Sequence, residues 1–247
     1  MKNYFAFLII ALFLLNITAC NNETEKYDFT GDKEYFPLKS GAQWIYNVDS
    51  IIYDNKGDIV DTVNHIVKEV ITGTFVDDEG VTNYVIERYN KSRRGWDFIT
   101  KWYANVHDNK AVRTEDNLKF IKMVFPVVVN KTWDGNAYFD AEDIVVKIAG
   151  EPIKMYEYWT YRYLDKDKSE DINGHQYDKV CTVQEVDYEN EIQKRYSQVK
   201  YAKGIGMVYK KMIILNTQQL NKPDVPWDEK TEEGFILEQT LISYSGL

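Results

Sequence analysis

The chain has 247 residues, a formal net charge of −9, 44% hydrophobic residues and 15% aromatic residues. So acidic a surface disfavours nucleic acid and anionic lipid headgroups as partners, because both need Lys and Arg to neutralise phosphates. The length suits one large β domain or two small ones.

Lys2 is the only charge in residues 1–19, positions 4–15 form an almost unbroken apolar run, and the run closes on Ile17-Thr18-Ala19-Cys20. A positive start, a short apolar core and small residues before a cut describe a secretory signal. A spanning helix needs about 20 apolar residues, and this core is shorter and ends in Asn16. A transmembrane anchor and a plain secreted form are the alternatives. With a cysteine directly after the small residues, the stretch resembles the lipobox of bacterial lipoproteins. That resemblance implies a diacylglyceryl group on the Cys20 thiol, cleavage before Cys20, and acylation of the new amine by chains of the palmitate kind. It also implies an outer-membrane lipoprotein of the cell envelope, on its periplasmic or surface face, touching the lipid bilayer through acylated Cys20. Several acyl chains are needed for stable anchoring, since one gives only marginal binding.

Residues 20–34 are polar and acidic without periodicity and read as a flexible tether. Glu23 and Glu25 weakly resemble the acidic pattern that accompanies surface export in some Gram-negative lineages. Residues 35–247 then read as a single antiparallel β domain. It opens with Phe36-Pro37-Leu38, Gly41 and Trp44, and a similar piece returns at Phe125-Pro126-Val127, Asn130 and Trp133. Gly41 and Asn130 are the residue types that accept positive φ. The pair reads either as a duplication or as one turn used twice.

Strand candidates separated by turn residues follow at 44–53, 59–75, 81–89, 96–106, 118–125, 143–149, 155–164, 177–187, 192–201, 207–215 and 235–244. Phe98, Trp102, Ala104 and Val106 share one face by alternation, as do Ile144, Val146 and Ile148. Only 114–124 has a weak helical pattern. Residues 165–171 read as a charged hairpin tip; they place oxygen ligands as a calcium loop would, but lack its glycine and closing glutamate. So many alternating strands with short links predict an all-β fold. The expected form is a curled antiparallel sheet, half-barrel or barrel, with a β-sandwich as the alternative.

Three pieces carry a resemblance to a broad group of uncharacterised cell-envelope lipoproteins from Gram-negative, gut-commensal-type bacteria. They are Phe36-Pro37-Leu38 with Gly41, Trp44 and Tyr46; Ile172-Asn173-Gly174-His175 with Tyr177-Asp178-Lys179-Val180; and 201–209, from Tyr201 through Gly204-Ile205-Gly206 to Tyr209. The resemblance implies a curled sheet like the half-barrels of lipoprotein-carrier proteins. It implies no reaction, and no functional residue beyond Cys20 carries over.

The chemistry-bearing motifs are few. His65, His107 and His175 are isolated, without zinc-site spacing, and there is no nucleophile elbow, phosphate loop or dinucleotide fingerprint. With Cys20 acylated, Cys181 is the one remaining thiol and sits among strand-type apolar neighbours as a small hydrophobe. No catalytic residue, metal ligand or cofactor is assigned, and the expected role is non-enzymatic. The positive lead is aromatic. If 155–164 is a strand, Tyr156 and Tyr158 fall on one face and Trp159 and Tyr161 on the other, so both faces carry rings. Trp102, Tyr158, Trp159 and Tyr161 are therefore the candidate ligand-binding residues, lining a concavity that takes an apolar or glycan ligand. Alternatively the sheet face docks on another envelope protein; a hydrolase with carboxylates dispersed in sequence is the third reading.

Overall fold

The computed structural model describes residues 30–54, 58–220 and 224–247. The signal stretch, Cys20, Glu23 and Glu25 lie outside them. Residues 30–34, assigned above to the tether, are part of the folded body. Thr30–Tyr35 form a 3₁₀ turn. Buried Asp32 accepts the Val127 N–H at 2.9 Å and pairs with Lys166 at 2.6 Å, and the buried Tyr35 hydroxyl donates to Asp167 at 2.9 Å. These long-range contacts fix a segment whose local composition carries no structural signal.

A first meander runs through β1 (Gln43–Asp54), β2 (Ile59–Val76), β3 (Thr82–Ser92), β4 (Gly95–His107), β5 (Lys110–Glu115) and β6 (Leu118–Val124). The short β7 (Thr132–Trp133) and a separate hairpin, β8 (Val146–Ile148) with β9 (Glu151–Ile153), follow. A second meander then comprises β10 (Tyr161–Ile172), β11 (His175–Glu189), β12 (Gln193–Ala202), β13 (Gly206–Asn216) and β14 (Glu233–Ser245). Just before β14 lies a four-residue helix, α1 (Trp227–Lys230). Twelve strands form one antiparallel sheet in the order β6-β5-β4-β3-β2-β1-β14-β13-β12-β11-β10-β7. The two meanders are joined where the last strand pairs with the first, from Gln43↔Ser245 to Tyr53↔Gly234.

The sheet curls until its edges nearly meet. The Ile121 N–H donates to the Gly135 carbonyl at 2.8 Å, and Trp133 Nε1 donates to the Ile121 carbonyl at 2.9 Å. The Tyr163 hydroxyl accepts the Val124 N–H at 3.0 Å and donates to the Val124 carbonyl at 2.8 Å. Such a seam spares the fold two open edges. The all-β, curled-sheet expectation holds in its nearly closed barrel form; the sandwich does not.

Turn chemistry explains the register. Asp116-Asn117 and Asn173-Gly174 each link strands as two-residue turns with both φ angles positive, the geometry matching strand twist. The first of these breaks the weak helical pattern of 114–124, which is the end of β5, a turn and β6. The two Phe-Pro pieces share the turn that follows, though only Phe125-Pro126 is a cis bond among the described residues. Gly41 (φ 86°) and Asn130 (φ 68°) take the positive angle, and Gly41 N–H bonds the Ile71 carbonyl as Asn130 N–H bonds that of Tyr163. Ile71 N–H then bonds Ala42, as Tyr163 N–H bonds Lys131.

Three strand expectations need correction. Residues 155–164 are not one strand: 155–158 form a turn, Tyr158 has φ 67°, and extended structure starts at Tyr161. The charged segment 165–171 is not a tip but the body of β10, whose register to β11 shifts at three places, while the tip is Asn173-Gly174. Phe98 does not share the Trp102 face. The register shift between Arg88 and Tyr89 skips Ile99, so Phe98 pairs with Tyr89 outside while Trp102 pairs with Ile86 inside.

Candidate functional site

The concavity expected to hold a ligand is filled. Aromatic residues Tyr46, Tyr161, Tyr163 and Phe120 are fully buried, and between them lies a chain of ion pairs. Glu69 meets Arg88 at 3.1 Å and Arg113 at 2.7 Å; Arg113 meets Glu115 at 3.2 Å. Lys122 meets Glu115 at 3.6 Å and Glu185 at 3.4 Å, and Lys210 meets Glu185 at 3.7 Å. Ser197 Oγ donates to Glu185 at 2.7 Å. The remaining cavity among these charges is about 80 Å³, below the roughly 300–1,000 Å³ of sites for drug-sized ligands.

Electrostatics make this interior a lock. Burial alone would raise Glu115, but Lys122 and Arg113 beside it pull it down to about 2. Burial likewise opposes ionisation of Glu185, and Lys122 and Lys210 outweigh it and lower the carboxyl. Both acids are ionised at neutral pH and have no proton to donate as general acids. Trp102 belongs here, with the Arg88 and Arg113 guanidinium groups 3.8 and 4.7 Å from its ring centre and its Nε1 donating to Asp116 at 3.2 Å. It is a packing surface for cations inside the barrel.

The open site lies outside, on the loop region 134–160 between β7 and β10. A groove of about 600 Å³ is walled by Phe139, Tyr156, Tyr158 and Trp159 and rimmed by Asp134, Asp140, Glu142 and Glu157. Tyr158 is 53% exposed, yet its ring is fixed by stacking on Tyr188 at 3.9 Å and 15°. Trp159 is buried and anchored by Nε1 donating to the Met155 carbonyl at 2.7 Å. Tyr156 packs edge-on against Trp159 at 5.4 Å and Phe139 at 5.7 Å. The groove therefore has a rigid aromatic floor and one presented ring.

Two of the four candidate residues, Tyr158 and Trp159, come together at the groove. Tyr161 is fully buried behind them, 5.9 Å from Trp159, its hydroxyl 3.3 Å from Asn136 Oδ1. Trp102 does not join the groove. Sequence reasoning missed Asn136, Phe139 and the acidic rim; the available signal was the aromatic pair Tyr138-Phe139 inside an otherwise polar loop. Cys181 is buried, and burial pushes its thiol well up, which keeps it protonated and unreactive. Among the described residues no cluster of three or more His, Cys, Asp and Glu side chains is arranged to hold a metal.

No protein-family model matches the chain, and no curated protein matches it. Solved structures share parts of its chain path. A Bacteroides fragilis protein described as exported, with a YmcC-like fold, is 10% identical with a TM-score of 0.41, over 85% of this chain and 98% of its own. A Parabacteroides distasonis protein described as a lipoprotein is also 10% identical, TM-score 0.40, with the same coverage. An outer-membrane lipoprotein-sorting protein domain from Vibrio parahaemolyticus is 13% identical, TM-score 0.21, over 83% and 85%. Likeness at this level assigns no activity to this chain.

Proposed function

We propose that the protein is an envelope lipoprotein, anchored through acylated Cys20, with a non-enzymatic role: it holds a glycan in the outer groove of a rigid barrel. The observation that carries this reading is the exposed Tyr158 ring, fixed by Tyr188 over a floor of Tyr156 and Trp159. Flat rings stack on the apolar faces of sugars, and carboxylates on the rim accept their hydroxyl groups. Among the described residues that line the groove there is no Ser, Cys or His, so it holds no Ser–His or Cys–His pair. The Ile17-Thr18-Ala19-Cys20 motif supports the anchor.

The test is a titration of the signal-less protein with oligosaccharides, followed by tryptophan fluorescence. We expect a saturable change that Tyr158→Ala weakens strongly while lowering the melting temperature by only about 2–4 °C. No saturable response to cellotetraose, tetra-N-acetylchitotetraose or the glucosamine tetramer would refute the reading.

A second reading, docking on another envelope protein, is favoured by one feature. Residues 59–66 of β2 pair with β1 alone, because pairing to β3 begins at Val67. That strand edge carries exposed Ile59, Val60 and Val63, the pattern that receives an added strand.

A further inference from the structure

We propose that the groove selects glycans bearing free amino groups, an inference that rests on the groove being the ligand site. Its lining carries four carboxylates, on Asp134, Asp140, Glu142 and Glu157, and no Lys, Arg or His. Two cations outside the lining act on Glu157: Lys154, which meets it at 3.7 Å, and Arg195; Asp134, Asp140 and Glu142 have no ion pair among the described contacts. Asp134 and Asp140 are held in place by accepting the Asn136 and Glu142 N–H groups at 2.9 and 3.0 Å, each through one oxygen. An anionic glycan would meet like charge here, and a neutral one would leave the carboxylates without cations.

Two further features separate a sugar from a bare amine. The exposed Tyr158 ring suits a flat saccharide face, which a linear polyamine lacks, and it attracts an ammonium group as well. Asn136, 5% exposed, lines the groove with Nδ2 unpaired while its Oδ1 is engaged by Tyr161. An unpaired buried donor calls for an acceptor oxygen, which a hydroxyl or ring oxygen supplies and a polyamine lacks. An amino sugar offers all three partners at once: a stacking face, an ammonium and an oxygen acceptor.

Calorimetric titration of the signal-less protein would use three tetramers, of glucosamine, N-acetylglucosamine and glucose (cellotetraose), with spermidine alongside. At about 10 mM salt, where charges act over ~30 Å, the glucosamine tetramer should bind at least about tenfold more tightly than the other two tetramers. That advantage should shrink at about 150 mM salt, where the range falls to ~8 Å. Asp140→Asn with Glu142→Gln, both exposed positions, should erase the advantage and leave the melting temperature unchanged. Tyr158→Ala should weaken all three tetramers. Equal, salt-independent binding of the three tetramers would overturn the amine selectivity and leave the groove standing as the ligand site. Spermidine binding as tightly as the glucosamine tetramer would overturn the sugar assignment. Binding of no tetramer would overturn the groove reading and this inference with it.

Discussion

Glu185→Gln isolates what the interior charges contribute to the barrel. Glu185 is 1% exposed, with Lys122 Nζ at 3.4 Å, Lys210 Nζ at 3.7 Å and the Ser197 hydroxyl at 2.7 Å. At an effective dielectric near 20 the two ion contacts are worth about 5 and about 4 kcal/mol, set against several kcal/mol of desolvation for each ion. Glutamine keeps the volume and can still accept the Ser197 bond through its amide oxygen, while the substitution removes the charge and turns the second acceptor, toward Lys122, into an NH2 donor. Lys210 then loses its one ion-pair partner among the described contacts, and Lys122 retains only Glu115 at 3.6 Å. We expect a loss of about 3–5 kcal/mol, the usual cost of orphaning a buried charge, read from urea unfolding with an unchanged m-value. Adding Lys210→Met should recover part of the loss, because it removes the cation left without its ion-pair partner. A loss below about 1 kcal/mol, the size of an exposed pair, would refute the claim that these charges lock the interior.

Three further outcomes follow from the same contacts. Glu115, held near 2, and Glu185, held below the ordinary 4.5, contribute stability that is complete above about 4.5 and lost as pH falls toward 2; the melting temperature should drop through that window, and less so in Glu185→Gln. Gly135→Ala should lower stability by about 1–3 kcal/mol, measured by denaturant unfolding, since a Cβ there would lie 2.2 Å from the buried Tyr161 ring. Trp159→Ala should cost about 3–5 kcal/mol, whereas Tyr158→Ala should cost about 1 kcal/mol, the worth of one ring stack; equal losses in thermal unfolding would count against Tyr158 as a presented ring.

The sequence made the strands legible because alternation is a local property. It also flagged the repeated turn, since Gly41 and Asn130 are the residue types that tolerate the angles they adopt. The interior charges were not legible. Lys122 and Glu185 are 63 residues apart, and alternation assigns a charged residue to the solvent face unless its partner is known. A barrel supplies that partner from a distant strand. The aromatic stretch misled for a related reason. Tyr and Trp read as strand formers, but the turn at 155–158 packs Tyr158 on Tyr188 and Tyr156 on Phe139, contacts that no local pattern records.

The groove and the locked interior are mechanically one object, and Tyr161 is the joint. As the first residue of β10 it pairs with Trp133 of the edge strand β7, beside the seam, packs 5.7 Å from the Trp133 ring and 5.9 Å from Trp159, and bonds Asn136. The floor of the groove thus rests on the strand that nearly closes the barrel, and that strand is held by buried packing. Binding is tighter when the receptor loses little freedom on capture. Here the floor residue Trp159 is already fixed, Tyr158 is fixed by its stack, and Asp134 and Asp140 accept backbone N–H groups, so the ordering cost falls chiefly on the exposed Glu142 of the rim. Affinity for a stacked ring should then reside in the rigid floor, and selectivity among ring substituents in the adjustable rim. Loosening the seam at Tyr161 should weaken capture of every ligand equally, whereas changing the rim should alter only which ligand is preferred.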